Sequence, residues 1–83
     1  MKTRVALDQV EYQEKLGHLI RFFEMGEAVK VTVMFRGREI THPERGEELL
    51  RSFAIDLKDL IEPGTATVRD GRSVHAVFTP KGR

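Results

Sequence analysis

The segment from Ala28 to Arg36, AVKVTVMFR, alternates apolar and polar side chains without interruption. Neighbouring residues of a β-strand point to opposite faces, so the pattern predicts a strand that buries one face and leaves the other open. The covered face would carry Val29, Val31, Val33 and Phe35, and the open face would carry Lys30, Thr32, Met34 and Arg36. A strand cannot cover its own apolar face, so the rest of the chain must supply a packing layer.

A first helix is predicted before this strand. Thr3 to Leu7 could form a short strand, and Asp8 then offers an N-cap side chain for a helix that Gly26 would end. The apolar positions follow helical spacing at Val10, Leu16, Leu19, Ile20 and Phe23.

A second helix is predicted to start near residue 42. Thr41 and Glu44 stand at the spacing of a capping box, and Pro43 suits the first helical turn because it has no N–H to leave unpaired. Glu62 to Gly64, EPG, would stop this helix. Its apolar stripe would consist of Leu49, Leu50, Phe53, Leu57, Leu60 and Ile61.

The C-terminal part contains a hairpin signal. Two strand-like runs flank Asp70-Gly71, a pair that favours a type I′ turn with positive φ at both central residues. The last five residues, TPKGR, are predicted to form a basic and mobile tail. The element order is therefore β-α-β-α-β-β, without repeats or linkers. We predict a single domain over residues 1–83 with an α+β fold, a two-layer α/β sandwich in which two helices cover one face of a four-stranded mixed sheet.

Composition excludes several function classes. There are 14 Lys and Arg residues against 13 Asp and Glu, so any binding of a polyanion must come from sorting of charge onto one face. The absence of cysteine removes thiol catalysis and fits a cytoplasmic protein, and the apolar runs are too short for a membrane span. His18, His42 and His75 have no metal-ligand spacing, and neither Ser52 nor Ser73 lies in a nucleophile motif. We therefore expect no metal, no cofactor and no enzymatic activity.

Three arginines are the remaining candidates for function. Arg36 shares a strand face with Lys30, Arg38 would share it if the chain stays extended through Gly37, and Arg72 lies just past the Asp-Gly turn. Arginine in rigid, exposed positions can bind phosphate through two hydrogen bonds, with help from a nearby helix start. The alternative is that these arginines are exposed side chains that pair with Glu39 or Asp70.

The sequence resembles a known family at four places. The stretches DQVEYQEKLGHLIRFFEMGE and VKVTVMFRGREITHPERG, followed by DGRS and the final PK, are similar to the C-terminal domain of bacterial translation initiation factor three. The resemblance implies a domain that binds the small ribosomal subunit through 16S rRNA, prevents joining of the large subunit and supports selection of initiator tRNA and the start codon on mRNA. It also implies a monomer without cofactor. The positions that match RNA-binding residues of the family are Arg4, Tyr12, Lys15, Arg21, Arg36, Arg38 and Arg72.

Some of these assignments stay open at this stage. Tyr12 and Lys15 are adjacent on the first helix, where the ring could stack on a base, but Tyr12 could equally be a core residue with its hydroxyl at the rim. Met34 and Ser52 stand where the family often has basic residues, and we expect the resemblance not to include the family's N-terminal domain. The chain could be an excised domain, which we favour, or a stand-alone paralogue that acts as an RNA-binding or protein-interaction module.

Overall fold

The structure, a computed structural model, describes residues 1–37, 41–64 and 66–81. It confirms the predicted element order and the two-layer sandwich, with a four-stranded mixed sheet. The elements are β1 (Lys2–Arg4), α1 (Gln9–Glu24), β2 (Val29–Met34), α2 (Pro43–Asp56), β3 (Thr67–Asp70) and β4 (Ser73–Phe78).

The sheet has the order β1-β2-β4-β3. β1 pairs with β2 in parallel, whereas β4 is antiparallel to both β2 and β3. The valines of β2 are buried as predicted, and β1 ends at Arg4, earlier than the predicted Leu7. This topology places the C-terminal ends of β1 and β2 and the start of β4 at one end of the sheet, where Met34 is paired with Arg4 on one side and Ser73 on the other.

The ends of α1 follow the sequence prediction. The Asp8 side chain accepts a hydrogen bond of 2.8 Å from the Glu11 N–H, which caps the helix. Gly26 follows the helix with φ of 77°, a conformation that glycine adopts without steric cost. The N–H groups of Gly26 and its successor donate to the carbonyls of Phe23 and Phe22, the pattern of a Schellman motif.

The capping box predicted for α2 is wrong, although Pro43 is the first helical residue as expected. The N-cap is His42, one residue after Thr41, and its side chain makes no capping hydrogen bond. A residue before proline disfavours helical φ and ψ, so His42 cannot serve as the first helical residue that a Thr41 cap requires. Its observed φ of −129° and ψ of 62° agree with this reason. Glu44 instead lies 3.3 Å from the His42 ring, through Oε1 and Nδ1.

The C-terminal end of α2 also differs from the prediction. The helix ends at Asp56, ahead of the EPG stretch, and residues 57–60 form a turn in which Leu60 is exposed. The following residues pair with the end of the chain: Ile61 forms a bridge with Pro80, and the Lys81 N–H donates to the Leu60 carbonyl over 3.0 Å. The tail is therefore held in place through residue 81, and its last two residues lie outside the described part.

The β3–β4 turn is centred one residue later than predicted. Asp70 pairs with Ser73, so the two central residues are Gly71 and Arg72. Gly71 has φ of 56°, and positive φ is found only at glycines among the described residues. A turn with positive φ at the first central residue alone is type II′, which needs no left-handed conformation at Arg72.

The core lies between the helices and the sheet. Val10 was predicted to belong to it but is exposed, because it lies outside the stripe of α1 that faces the sheet. Within the described residues no buried side-chain N or O atom lacks a hydrogen-bond partner. The buried apolar residues are Leu16, Leu19, Phe23, Val29, Val31, Val33, Phe35, Leu50, Phe53, Leu57, Ile61, Val74, Ala76 and Phe78.

Gly46 marks a point of very close packing of α2 on the sheet. A Cβ atom at this position would lie 2.6 Å from Cγ1 of Val74 and 2.8 Å from the Phe35 ring. Both neighbours are buried in the core, so they have little room to move. The absence of a side chain at Gly46 is what lets the first turn of α2 approach the end of β2.

Candidate nucleic-acid interface

A shallow groove runs along the β1 edge of the sheet, between β1, the first half of α1 and the end of β2. Of the described residues that line it, four are basic and one is acidic, although the whole chain carries a net charge of only +1. The sorting of charge that the composition requires for polyanion binding is therefore present here. We call this surface the basic groove; it is lined by Lys2, Thr3, Arg4, Leu7, Glu11, Lys15, Met34 and Arg36.

Three separate elements supply the basic side chains of the groove. Lys2 and Arg4 alternate along β1 with the buried Thr3, and both are exposed at the edge of the sheet. Lys15 comes from α1, and Arg36 follows the end of β2. Lys2 was not selected as a binding residue from the sequence. Its spacing of two residues from Arg4 was the available signal, because in a strand that starts at Lys2 both side chains lie on the same face.

Arg4 is held by a carboxylate inside the groove. One guanidinium nitrogen, Nη2, donates to both carboxylate oxygens of Glu11, over 2.7 and 2.6 Å. Both side chains keep contact with solvent. The Arg4 side chain that the family resemblance assigns to RNA is thus already engaged by an internal anion.

The chain turns out of its extended conformation directly after Arg36. Gly37 has φ of 51°, so the condition under which Arg38 would share the face of Arg36 is not met. Arg38 and the possible partner Glu39 lie outside the described residues. The predicted binding of phosphate by Arg36 together with Arg38 therefore stays a prediction.

The hairpin tip is tied to the end of β2. The Phe35 N–H donates to the Arg72 carbonyl over 2.8 Å, which places the backbone of Arg72 beside the residue preceding Arg36. The Arg72 side chain is exposed and, within the described part of the chain, forms no ion pair with Asp70. The alternative in which Asp70 neutralises Arg72 is therefore wrong. Arg72 extends the positive surface at this end of the sheet without lining the groove.

Tyr12 is engaged between the two helices. Its ring stacks on Phe53 of α2 with centroids 5.0 Å apart and planes at 7°, and its hydroxyl donates to Oδ2 of Asp56 over 2.5 Å. Burial, followed by the hydrogen bond and the charge of Asp56, raises the pKa of Tyr12 well above its ordinary range. These contacts match the alternative of a core residue with its hydroxyl at the rim, and the stacking occupies one face of the ring.

Arg21 is separated from the basic groove. It lies in the last turn of α1, about 120° around the helix and about 9 Å along it from Lys15. Ser52, at a position where the resemblance led us to expect a basic residue, donates to the Glu48 carbonyl over 3.0 Å. Met34, at the other such position, forms part of the groove wall.

The described residues contain neither a metal-binding cluster nor a membrane-spanning helix. No group of three or more His, Asp, Glu or Cys side chains in that part of the chain is arranged to hold a metal ion. Its helices are also too short or too polar to cross a lipid bilayer.

Comparison with known proteins decides the family. Residues 1–81 match the family described as translation initiation factor IF-3, C-terminal domain. The chain belongs to this family. Translation initiation factor IF-3 of Thermus thermophilus is 46% identical over 80 residues, which are 96% of this chain and 47% of that protein. The proteins of the same name from Mycobacterium tuberculosis and Streptomyces avermitilis are 43% and 42% identical, over 95% and 96% of this chain and 39% and 33% of their own lengths.

Membership of the IF-3 C-terminal domain family covers the whole candidate interface. The matched residues include the basic groove and the hairpin tip. The chain spans about half, or less, of the length of these curated relatives. What the complete factors do is therefore carried to this chain only as a proposal.

Proposed function

We propose that this domain acts in translation initiation in the cytoplasm, by binding the small ribosomal subunit as a monomer through 16S rRNA. Bound there, it prevents association with the large subunit and supports selection of initiator tRNA and the start codon on mRNA. It makes and breaks no covalent bond and uses no cofactor. The observation that carries the proposal is the basic groove, a local excess of positive charge in an otherwise balanced chain of the IF-3 C-terminal domain family.

The chemistry of the groove suits a nucleic-acid backbone. Lysine and arginine side chains neutralise phosphates and release counterions, which makes such binding strongly dependent on salt. We expect the main phosphate contacts from Lys15, Arg36, Arg38 and Arg72, because Arg4 is paired with Glu11. Four such contacts predict that log affinity falls with log salt with a slope of about −3 for single-stranded segments of RNA.

The test is co-sedimentation of the chain with isolated small ribosomal subunits over a series of salt concentrations. The groove variant is Lys15→Ala with Arg36→Ala. The matched control is Lys58→Ala with Lys81→Ala, which removes the same charge from exposed positions that do not line the groove. We expect the groove variant to bind more weakly and to reduce the slope by about 1.4, while the control stays close to wild type.

Addition of large subunits completes the experiment. Wild type should lower the fraction of joined ribosomes in a sucrose gradient, and the groove variant should do so less at the same concentration. Equal weakening by both double variants would mean that the groove has no special role. Binding that is insensitive to salt and survives the groove variant would instead favour a protein-interaction module, which the exposed Met25 and Met34 side chains could serve.

A further inference from the structure

We infer that Glu11 sets the RNA affinity of the basic groove by keeping Arg4 out of phosphate binding. This inference rests on the proposed function and assigns to Glu11 the role of weakening RNA binding. Among the described residues that line the groove, Glu11 is the one carboxylate, and both of its oxygens accept from Arg4. The carboxylate takes up the Nη2 donors of Arg4 and offsets its positive charge, so the guanidinium attracts a phosphate less strongly than an unpaired arginine would.

The geometry of the pair is fixed from both sides. Arg4 is the last residue of β1 and is in register with Met34 of the neighbouring strand. Glu11 is the third residue of α1, and its N–H is bound by the N-cap side chain of Asp8. In a capping box the glutamate at this position would turn back to the N-cap N–H, whereas here the Glu11 carboxylate points across to β1.

The charges around Glu11 explain why its removal should be felt. Lys15 lies one helical turn after Glu11, and Lys2 and Arg36 line the same groove. Replacing the carboxylate with an amide keeps its size and removes the only negative charge among these residues. Arg4 would then be available to RNA, so the number of cations that neutralise phosphate would rise by one.

The experiment is a double-mutant cycle of Glu11→Gln and Arg4→Gln, with Glu14→Gln as the matched control. Glu14 lies on the same helix, is exposed and does not line the groove. Affinity is measured for isolated small ribosomal subunits and, in parallel, for a short single-stranded RNA oligonucleotide by fluorescence anisotropy, both over a series of salt concentrations. Thermal unfolding of each variant checks that the fold is kept.

Glu11→Gln should bind about 1.5- to 5-fold more tightly than wild type, the range expected from release of an exposed ion pair. Its salt slope should be steeper by about 0.7, the contribution of one further phosphate contact. Arg4→Gln alone leaves the Glu11 carboxylate unpaired in the groove and should not raise affinity, and the double variant should lose the gain of Glu11→Gln. Glu14→Gln should not reproduce the change in slope.

Two results would overturn the inference. The first is an unchanged or lower affinity of Glu11→Gln for the oligonucleotide, and the second is a gain that persists in the double variant, because Arg4 would then not supply the additional contact. Failure of wild type to bind the small subunit, while Glu11→Gln still gains affinity for the oligonucleotide, would count against the proposed function and leave the role of Glu11 intact.

Discussion

Gly46→Ala tests the close approach of α2 to the sheet. The added methyl group would lie within 3 Å of both Val74 and Phe35, which are buried and surrounded by other core side chains. Gly17 provides the matched control because it also lies within a helix, but a Cβ at that position meets no atom within 4 Å. The same chemical change is therefore made once against the core and once in open space.

The two variants should move stability in different directions. Alanine in place of glycine in a helix gains about 0.8–1 kcal/mol, so Gly17→Ala should stabilise the domain by about that amount. Forcing an extra methyl group into a packed core costs about 1–3 kcal/mol, which at Gly46 offsets or exceeds the same gain. The helix preference cancels in the comparison, so Gly46→Ala should be less stable than Gly17→Ala by about 1–3 kcal/mol.

The measurement is thermal and denaturant unfolding of both variants and wild type, followed by circular dichroism. For a domain of this size, 1 kcal/mol corresponds to a Tm change of about 4–8 °C. Equal stabilisation by both substitutions would show that the space at Gly46 is open and that the packing argument is wrong. A Gly46→Ala variant that unfolds earlier with an unchanged denaturant slope would support it.

Three further predictions concern caps and titrating groups. Asp8→Ala removes the cap of α1 and should lower the free energy of unfolding by about 0.5–2 kcal/mol, measured by urea unfolding. Tyr12 is the only tyrosine in a chain without tryptophan, so phenolate absorbance measures the titration of Tyr12 alone. Because the pKa of Tyr12 is raised, its contribution to stability should be present below pH about 10 and decrease as the pH rises further. Asp56→Asn should lower the midpoint of this titration. The hydrogen bond from Arg69 lowers the pKa of Glu47. The stability from this pair should therefore be present above the pKa that Glu47 has in the unfolded chain, and should be lost as the pH falls through its pKa in the folded domain. Arg69→Gln should remove this pH dependence from acid unfolding curves.

Features encoded over a few neighbouring residues were predictable. The alternation in β2 identified its buried face, and Asp8 and Gly26 identified both ends of α1, because a cap and a left-handed glycine act within one helical turn. The errors at α2 and at the hairpin arose where two local rules compete. At α2, the restriction that Pro43 imposes on His42 makes His42 the N-cap in place of Thr41. At the hairpin, the steric cost of positive φ favours a turn whose first central residue is Gly71.

The candidate site was predictable only in part, because it is assembled from distant segments. The positions of Arg4, Lys15 and Arg36 followed from the family resemblance, but their meeting in one groove depends on the parallel pairing of β1 with β2. Arg4 and Glu11 lie on either side of the loop between β1 and α1, and their pairing was not predictable because the path of that loop follows no sequence periodicity. The Tyr12 hydroxyl bonds to Asp56, which is forty-four residues away in the sequence, so this contact was not predictable from local patterns.

The shortness of β1 has a consequence for the time course of RNA recognition. This edge strand has three residues, of which Thr3 alone is buried, and the flanking Met1 and Val5 are only partly buried against the core, so less apolar surface opposes its separation than holds the inner strands together. Amide protons of β2 that face β1 should therefore exchange with solvent through a local opening that leaves the rest of the sheet intact. We expect each such opening to move Lys2 and Arg4 together, so that of the four described basic side chains of the groove only Lys15 and Arg36 stay in place until the strand closes again.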